Sequence, residues 1–113
     1  MKYFKDNDSI LELVKGTNSN LNEIKIRSVD ASVEKHVPEV IVNGDLVTVI
    51  VGSQIHPMVE NHYIEFIEIE TKNGSQRKYL KPGDEPKATF KLYNDEFVIA
   101  YAYCNLHGMW NSN

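Results

Sequence analysis

Residues 39–52 of the chain read EVIVNGDLVTVIVG, and this stretch decides the fold class. Two short runs rich in β-branched residues flank the dipeptide Asn43-Gly44. Such runs favour strands, and Asn-Gly suits the positive φ angles of a tight type I′ turn. The stretch therefore predicts a β-hairpin whose two-residue loop is Asn43-Gly44.

Residues 62–81, HYIEFIEIETKNGSQRKYLK, repeat this pattern around Asn73-Gly74. The alternation of apolar and polar residues slips between Phe66 and Ile67, where two apolar residues are adjacent. An extra residue in one strand of a pair produces such a slip, so we expect a β-bulge at that point. Two hairpins in succession are typical of an antiparallel sheet.

The next segments extend the β pattern toward the end of the chain. In residues 87–93, KATFKLY, apolar and polar residues alternate, which predicts a strand with one buried face. Residues 97–104, FVIAYAYC, are apolar on both faces and predict a central strand, and KPGDEP at residues 81–86 predicts a turn. At least six short strands, with no convincing amphipathic helix, predict an all-β protein, an immunoglobulin-like antiparallel β-sandwich.

The composition of the 113 residues limits the function classes. A hydrophobic content of 42% with 25% charged residues is typical of a folded globular protein. The formal net charge of −4 argues against nucleic-acid binding, which needs a basic surface. The N-terminal MKYFKDNDSI lacks the apolar centre of a signal peptide, and no apolar run approaches the ~18 residues of a membrane helix. We therefore expect a soluble, cytoplasmic protein with no nucleic-acid or membrane partner.

Residues 1–30 differ from the rest and are expected to form a short N-terminal extension, with the sandwich domain at residues 31–113. Residues 9–14, SILELV, predict a short strand, whereas residues 16–23, GTNSNLNE, have the composition of a loop. The extension is either a small appended subdomain or an arm that packs on the sandwich, and the sequence leaves both readings open.

Four histidines and the single cysteine lie at predicted strand ends or in loops, where functional side chains project from a rigid scaffold. They are His36, His56, His62, Cys104 and His107. A lone histidine is more often a surface or core residue than a ligand. Cys104 and His107, however, have the Cys-x-x-His spacing of a metal-binding knuckle. The set as a whole therefore predicts a metal site.

The types of ligand narrow the choice of metal. A closed tetrahedral zinc site takes four ligands and would leave one of the five unused. Nitrogen ligands with a thiolate suit iron or copper. In blue-copper sandwiches the axial methionine lies further along the loop, whereas Met109 follows His107 by only two positions and two histidines would be surplus. Copper is thus the second choice. A cupredoxin-like electron carrier or a non-catalytic metal-binding β-sandwich is the alternative function.

Between about Ala31 and Trp110 the chain contains four motifs: EKHVP, GSQIHPMVENHYIEFIEI, LKPGDEPKATF and YAYCNLHGMW. In their order and spacing, these motifs together resemble the superoxide reductases of the desulfoferrodoxin and neelaredoxin type. The resemblance implies one mononuclear non-haem iron per chain, with four equatorial histidines and an axial cysteine thiolate. On this sequence those ligands are His36, His56, His62, His107 and Cys104. It also implies reduction of superoxide to hydrogen peroxide, a rubredoxin-like electron donor and a homo-oligomer, either a dimer or a tetramer.

The EKHVP motif supplies two catalytic candidates, Lys35 and Glu34. Because the protein is acidic overall, a local cation is needed to attract an anionic substrate, and Lys35 is the candidate. Glu34 is the candidate for the sixth ligand of resting ferric iron. Trp110 is expected to pack beside the turn between Cys104 and His107 without taking part in the chemistry.

Residues 1–30 depart from the two-iron members of the family that the chain resembles. Those members carry a desulforedoxin-like domain in which four cysteines bind a second iron. The single cysteine of this sequence excludes such a tetrathiolate site. Residues 1–30 are therefore interpreted as a possible remnant of that domain without metal.

Overall fold

The computed structural model describes residues 1–17, 20–30 and 35–112. Within these ranges the chain forms strands and turns, and no helix is long and apolar enough to cross a membrane. The strands of this part of the chain are β1 (Tyr3–Asp6), β2 (Ser9–Glu12), β3 (Asn22–Glu23), β4 (Pro38–Asn43), β5 (Leu46–Val51), β6 (Ile64–Thr71), β7 (Gly74–Tyr79), β8 (Lys87–Lys91), β9 (Phe97–Cys104) and β10 (Gly108–Asn111).

Seven of these strands form two packed antiparallel sheets. One sheet has the order β10-β9-β6-β7 and the other has the order β4-β5-β8. Alternate residues of β5 and β8 face the core, which is shared with β6 and β9. The strand of residues 97–104 lies between β10 and β6, as the apolar character of both its faces predicts. The predicted immunoglobulin-like antiparallel β-sandwich is confirmed.

The predicted bulge occurs in β6, slightly earlier than the sequence pattern suggested. Ile64 pairs with Cys104 and Phe66 pairs with Tyr103, so Glu65 is the extra residue. Because of this insertion, Ile64 and Ile67 face the same core although they are three positions apart. The adjacent apolar residues Phe66 and Ile67 are therefore a consequence of the bulge and lie just after it.

The turn of the first hairpin differs from the prediction by one residue. Asn43 pairs with Leu46, so the loop consists of Gly44 and Asp45. Gly44 has a φ of +62°, and Asp45 is not among the residues with positive φ. Glycine with positive φ at the first loop position is the pattern of a type II′ turn rather than type I′.

The second hairpin also differs from the prediction by one residue, but in the opposite direction along the chain. Thr71 pairs with Gly74, so the loop is Lys72-Asn73. The carboxylate of Asp95, which precedes β9, accepts hydrogen bonds from the Thr71 hydroxyl at 2.6 Å and from the Asn73 N–H at 3.1 Å. A contact from outside the hairpin therefore helps to set the position of the turn, and a local dipeptide pattern cannot reveal it.

A third sheet, in the order β2-β1-β3, covers the outer face of the four-stranded sheet. The predicted strand in residues 9–14 is β2. Tyr3 of β1 is 1% exposed and packs in a second apolar cluster with Phe66, Tyr101 and Met109. Its hydroxyl donates a hydrogen bond to the buried carboxylate of Glu68 at 2.5 Å. The N-terminal sheet therefore packs directly on the sandwich.

An ion-pair network fastens this N-terminal sheet at a second point. The guanidinium of Arg77 donates to Glu68 at 3.1 Å and to Glu12 of β2 at 3.2 Å. Burial and then the neighbouring Glu68 carboxylate raise the pKa of Glu12. Burial, together with the bond to Glu68, also raises the pKa of Tyr3 far above its usual range, so its hydroxyl stays protonated. The buried carboxylate of Glu68 thus accepts hydrogen bonds from Tyr3 in the N-terminal sheet and from Arg77 in the four-stranded sheet.

Candidate metal centre

Two strand pairings bring the predicted ligands to one end of the sandwich. Pro38 at the start of β4 pairs with Val51 at the end of β5, and Ile64 at the start of β6 pairs with Cys104 at the end of β9. Antiparallel pairing places the start of one strand beside the end of its neighbour. The histidines lie just before β4, twice between β5 and β6, and just after β9: His36, His56, His62 and His107.

The four imidazole rings form a closed circuit. In the order His36, His56, His62, His107 and back to His36, successive ring centroids lie 4.7, 4.8, 5.1 and 4.8 Å apart. Successive ring planes are inclined by 61°, 82°, 73° and 69°. Neighbouring rings therefore meet edge to face, an arrangement compatible with a common centre.

Donor atoms converge inside this circuit. One ligand atom from each of His36, His62, Cys104 and His107 lies within 4.8 Å of the others. The Nε2 atom of His36 is 3.1 Å from Nδ1 of His107, and the sulfur of Cys104 is 3.7 Å from the same Nδ1. Two nitrogens bound at right angles to one first-row ion, each at about 2.1 Å, lie about 3.0 Å apart. The spacing therefore fits adjacent ligands of a single metal ion.

His56 joins the group through its ring contacts with His36 and His62. Its Nδ1 lies 2.7 Å from the carbonyl oxygen of Pro57. Because a carbonyl oxygen only accepts, Nδ1 carries the proton and Nε2 is the nitrogen left with a lone pair for a metal. A backbone carbonyl that holds one ring nitrogen is a usual orienting partner of a metal-binding histidine. The structure thus brings all five predicted ligands together.

The centre is buried on its inner side and open on one rim. Cys104 is fully buried, and His36 and His56 are 3% and 2% exposed. His62 is half-buried, and His107 is exposed. A small solute can therefore approach the histidine rim, while the sulfur is protected inside the protein.

Trp110 contacts two of the predicted ligands, His36 and His107. Its indole stacks on the imidazole of His36, with centroids 4.6 Å apart and planes inclined by 13°. Its Nε1–H donates to the carbonyl oxygen of His107 at 3.1 Å. The prediction that Trp110 packs beside the turn is confirmed, and the stack on His36 is an additional contact.

Asn105 joins the segment around His62 to the turn between Cys104 and His107, a role that was not predicted from the sequence. Its side-chain oxygen accepts the N–H of Tyr63 at 2.9 Å, and its side-chain nitrogen donates to the carbonyl of Asn61 at 3.1 Å. These bonds tie the residues on either side of His62 to the loop that follows Cys104. Its position between Cys104 and His107 was the only signal that could have pointed to it.

Of the two catalytic candidates, Lys35 is described and Glu34 lies outside the described residues. Lys35 is half-buried and immediately precedes His36. Gly52 has a φ of +88°, and a Cβ added to it would lie 2.6 Å from the carbonyl oxygen of Lys35. The backbone of Lys35 therefore packs against a position that only glycine can occupy without displacement.

Met109, on which a copper site would depend, lies on the other face of β10. It is 1% exposed and packs with Tyr3, Phe66 and Tyr101 in the second apolar cluster. Successive residues of a strand point to opposite faces, so the neighbouring Trp110 faces His36 while Met109 faces away from it. The cupredoxin-like interpretation therefore loses its axial methionine.

Known proteins are similar to this chain in sequence and in fold. The sequence profile of the family described as Desulfoferrodoxin matches residues 28–113. The chain is 51% identical over 89 residues to a desulfoferrodoxin homologue of Archaeoglobus fulgidus, covering 79% of this chain and 70% of that protein. It is 38% identical over 105 residues to a superoxide reductase of Pyrococcus horikoshii, covering 77% of this chain and 91% of that protein.

A solved structure extends the likeness through the N-terminal sheet. The superoxide reductase from Treponema pallidum has a TM-score of 0.82 and 32% identity, over 99% of this chain and 97% of that chain. The match covers β1 to β3 as well as the sandwich, because it spans nearly all of the chain.

Proposed function

The chain belongs to the desulfoferrodoxin family, and we propose that it is a superoxide reductase, an enzyme that adds one electron and two protons to superoxide and forms hydrogen peroxide. The observation that carries this proposal is the convergence of imidazole rings and one buried thiol at one end of the sandwich. Nitrogen donors with a thiolate suit iron, which can supply a single electron, and fit a redox centre better than a closed zinc site.

The five side chains that would hold one mononuclear non-haem iron are His36, His56, His62, His107 and Cys104. Bound ferrous iron would supply the electron, and the Cys104 thiolate would donate electron density to the metal. The burial of Cys104 keeps its sulfur out of contact with solvent and substrate. Superoxide would then approach from the open rim at His107.

Lys35 is the candidate for attracting the anionic substrate. The protein carries a formal net charge of −4, so its overall field does not favour an anion. An ammonium group offers a mobile positive charge and three hydrogen-bond donors. Lys35 immediately precedes His36, and this position would let its side chain place a positive charge near the open rim of the centre. Glu34 is the candidate for a reversible sixth ligand in the ferric state.

A rubredoxin-like protein is proposed as the electron donor. These 113 residues contain one cysteine and therefore cannot build a tetrathiolate iron site of their own. A homo-oligomer and a cytoplasmic location complete the proposal, by analogy with the family.

Elemental analysis combined with an activity assay tests the proposed function. The purified protein should contain about one iron per chain and should consume superoxide only while a reductant is supplied, forming peroxide without dioxygen. Full activity in a copper-only protein would overturn the iron assignment. Iron binding without superoxide consumption would leave a non-catalytic metal-binding sandwich as the function.

A further inference from the structure

We propose that Asp30 is a positioning residue for His36, so that the end of the N-terminal extension helps to build the metal centre. This proposal rests on the proposed function in one respect, since it takes His36 to be a metal ligand. Asp30 lies in the N-terminal extension, and no role for it was predicted from the sequence.

Asp30 holds the backbone on which His36 is mounted. One carboxylate oxygen, Oδ1, accepts the N–H of His36 at 2.5 Å and the N–H of Val37 at 2.9 Å. Both residues precede β4, which begins at Pro38, so neither N–H belongs to the β4–β5 ladder. Hydrogen bonds to a carboxylate are shorter and stronger than those between neutral groups. Asp30 thus holds the backbone of His36 in place, as strand pairing holds the backbone of Cys104.

The ring of His36 is held from another direction by Trp110. The two rings are nearly parallel, and the indole N–H is bonded to the carbonyl of His107. A movement of the His36 backbone would therefore change the position of its ring relative to the indole and to Nδ1 of His107, which lies 3.1 Å from its Nε2.

Arg27 anchors the segment that carries Asp30. Its N–H donates to the carbonyl of Met109 at 3.0 Å, and its own carbonyl accepts the N–H of Asn111 at 2.8 Å. Its guanidinium carbon lies 5.5 Å from the centroid of the Trp110 ring, a cation–π distance. Residues 27–30 are therefore joined to β10 at one end and to the His36 backbone at the other.

The test compares two substitutions of Asp30 with a matched control. Asp30→Ala removes both acceptor interactions, whereas Asp30→Asn keeps an acceptor oxygen and removes the charge. Asp95→Ala is the control, because the Asp95 carboxylate also accepts two backbone N–H groups, those of Asn73 and Glu96, beside the turn at the other end of β6. Each protein is loaded separately with Fe²⁺ and with Co²⁺, and its metal-free form is melted for comparison.

Metal retention against a chelator and the ligand-field spectrum are the readouts. Loss of an outer partner of a metal ligand typically weakens metal binding by about 10- to 100-fold. We expect Asp30→Ala to show a loss of this size with a shifted Co²⁺ spectrum, and Asp30→Asn to recover most of both. Asp95→Ala should keep wild-type retention and spectrum even where its melting temperature falls.

Equal retention and unchanged spectra in Asp30→Ala and wild type would overturn the proposal. So would a loss of metal in Asp95→Ala that matches the loss in Asp30→Ala at equal melting temperatures, because general destabilisation would then account for both. Failure of the proposed function would look different. Wild type would retain metal yet consume no superoxide, and the Co²⁺ comparison would still decide the role of Asp30.

Discussion

The Nε2 atom of His36 lies 3.1 Å from Nδ1 of His107, although 71 positions separate the two residues in the chain. His36 precedes β4 of the β4-β5-β8 sheet, and His107 lies in the turn between β9 and β10 of the other sheet. A metal held by both would therefore connect the two layers of the sandwich. No short segment of the chain could bind it in the same way.

Metal removal should consequently lower the stability of the whole domain. A ligand at about 1,000 times its dissociation constant stabilises the folded state by about 4 kcal/mol. For a domain of this size, that corresponds to a fall in melting temperature of more than about 10 °C when the metal is stripped. Calorimetry of the loaded and chelator-treated protein measures it. Identical melting curves would show that the centre does not join the sheets energetically.

Replacing Cys104, the candidate thiolate ligand, should change the visible spectrum more than it changes the fold. Cys104→Ser removes the sulfur, so the thiolate-to-iron absorption should vanish and reductase activity should fall by at least about 10-fold. His62→Gln serves as the comparison, because it removes one nitrogen ligand but keeps the sulfur and should retain a shifted thiolate band. An unchanged visible spectrum in Cys104→Ser would remove Cys104 from the ligand set.

Lys35→Ala should slow the reaction of superoxide with the ferrous protein while iron stays bound. Opposite charges about 7 Å apart at an effective dielectric of about 20 attract by about 2 kcal/mol. That corresponds to a rate effect between tenfold and a hundredfold. Added salt should slow the wild type more than the variant, because salt screens the attraction.

Lys91→Ala provides the control for Lys35→Ala. Lys91 lies in β8 and faces Asp45, with its ammonium nitrogen 3.8 Å from the carboxylate, beside the first hairpin turn. Its removal changes the net charge equally and should leave the superoxide rate within about twofold. If both variants react at the wild-type rate across a salt series, Lys35 is an ordinary surface lysine.

Two truncations should separate packing of the N-terminal sheet from support of the metal centre. Removal of residues 1–26 uncovers the apolar cluster around Phe66 and Met109, so melting temperature and solubility should fall. Iron retention should survive, because Asp30 remains. Removal of residues 1–30 should weaken iron retention as well. If removal of residues 1–26 abolishes the reaction with superoxide while iron stays fully bound, the N-terminal sheet has a redox role.

The carboxyl of Glu12 should make stability depend on pH. Its pKa is raised above the ordinary 4.5, first by burial and then by Glu68. The folded protein thus binds this proton more tightly than the unfolded chain. Its contribution is fully present below pH 4.5 and is lost as pH rises through the folded pKa. Glu12→Gln should therefore lose less stability than wild type between pH 4.5 and 8, measured by denaturant unfolding. Parallel curves would show that Glu12 does not titrate differently on folding.

Local pattern predicted β2 and β4 to β9, because runs and alternation of apolar residues report burial. It did not predict β1, β3 or β10, and Asn22–Glu23 of β3 lie in the segment that has the composition of a loop. It placed both hairpins but misplaced their loops by one residue, since Asp95 and the strand register, and not Asn-Gly alone, set the turns. The ligand set was predictable because histidine and cysteine are rare and chemically specific. Asp30 was not, because its role is to accept two backbone N–H groups that become neighbours only in the folded chain.

The distance along the chain between the imidazoles and the sulfur has a consequence for metal selection during biosynthesis. Cys104 follows His62 by 42 positions, so a growing chain presents three histidines well before the thiol. Imidazole ligands bind Cu²⁺ and Zn²⁺ more tightly than Fe²⁺, and a thiolate does not reverse that order. The full donor set forms only when the end of β9 pairs with the start of β6. For the iron centre proposed above, correct occupancy therefore depends on the supply of iron relative to copper and zinc while the chain folds.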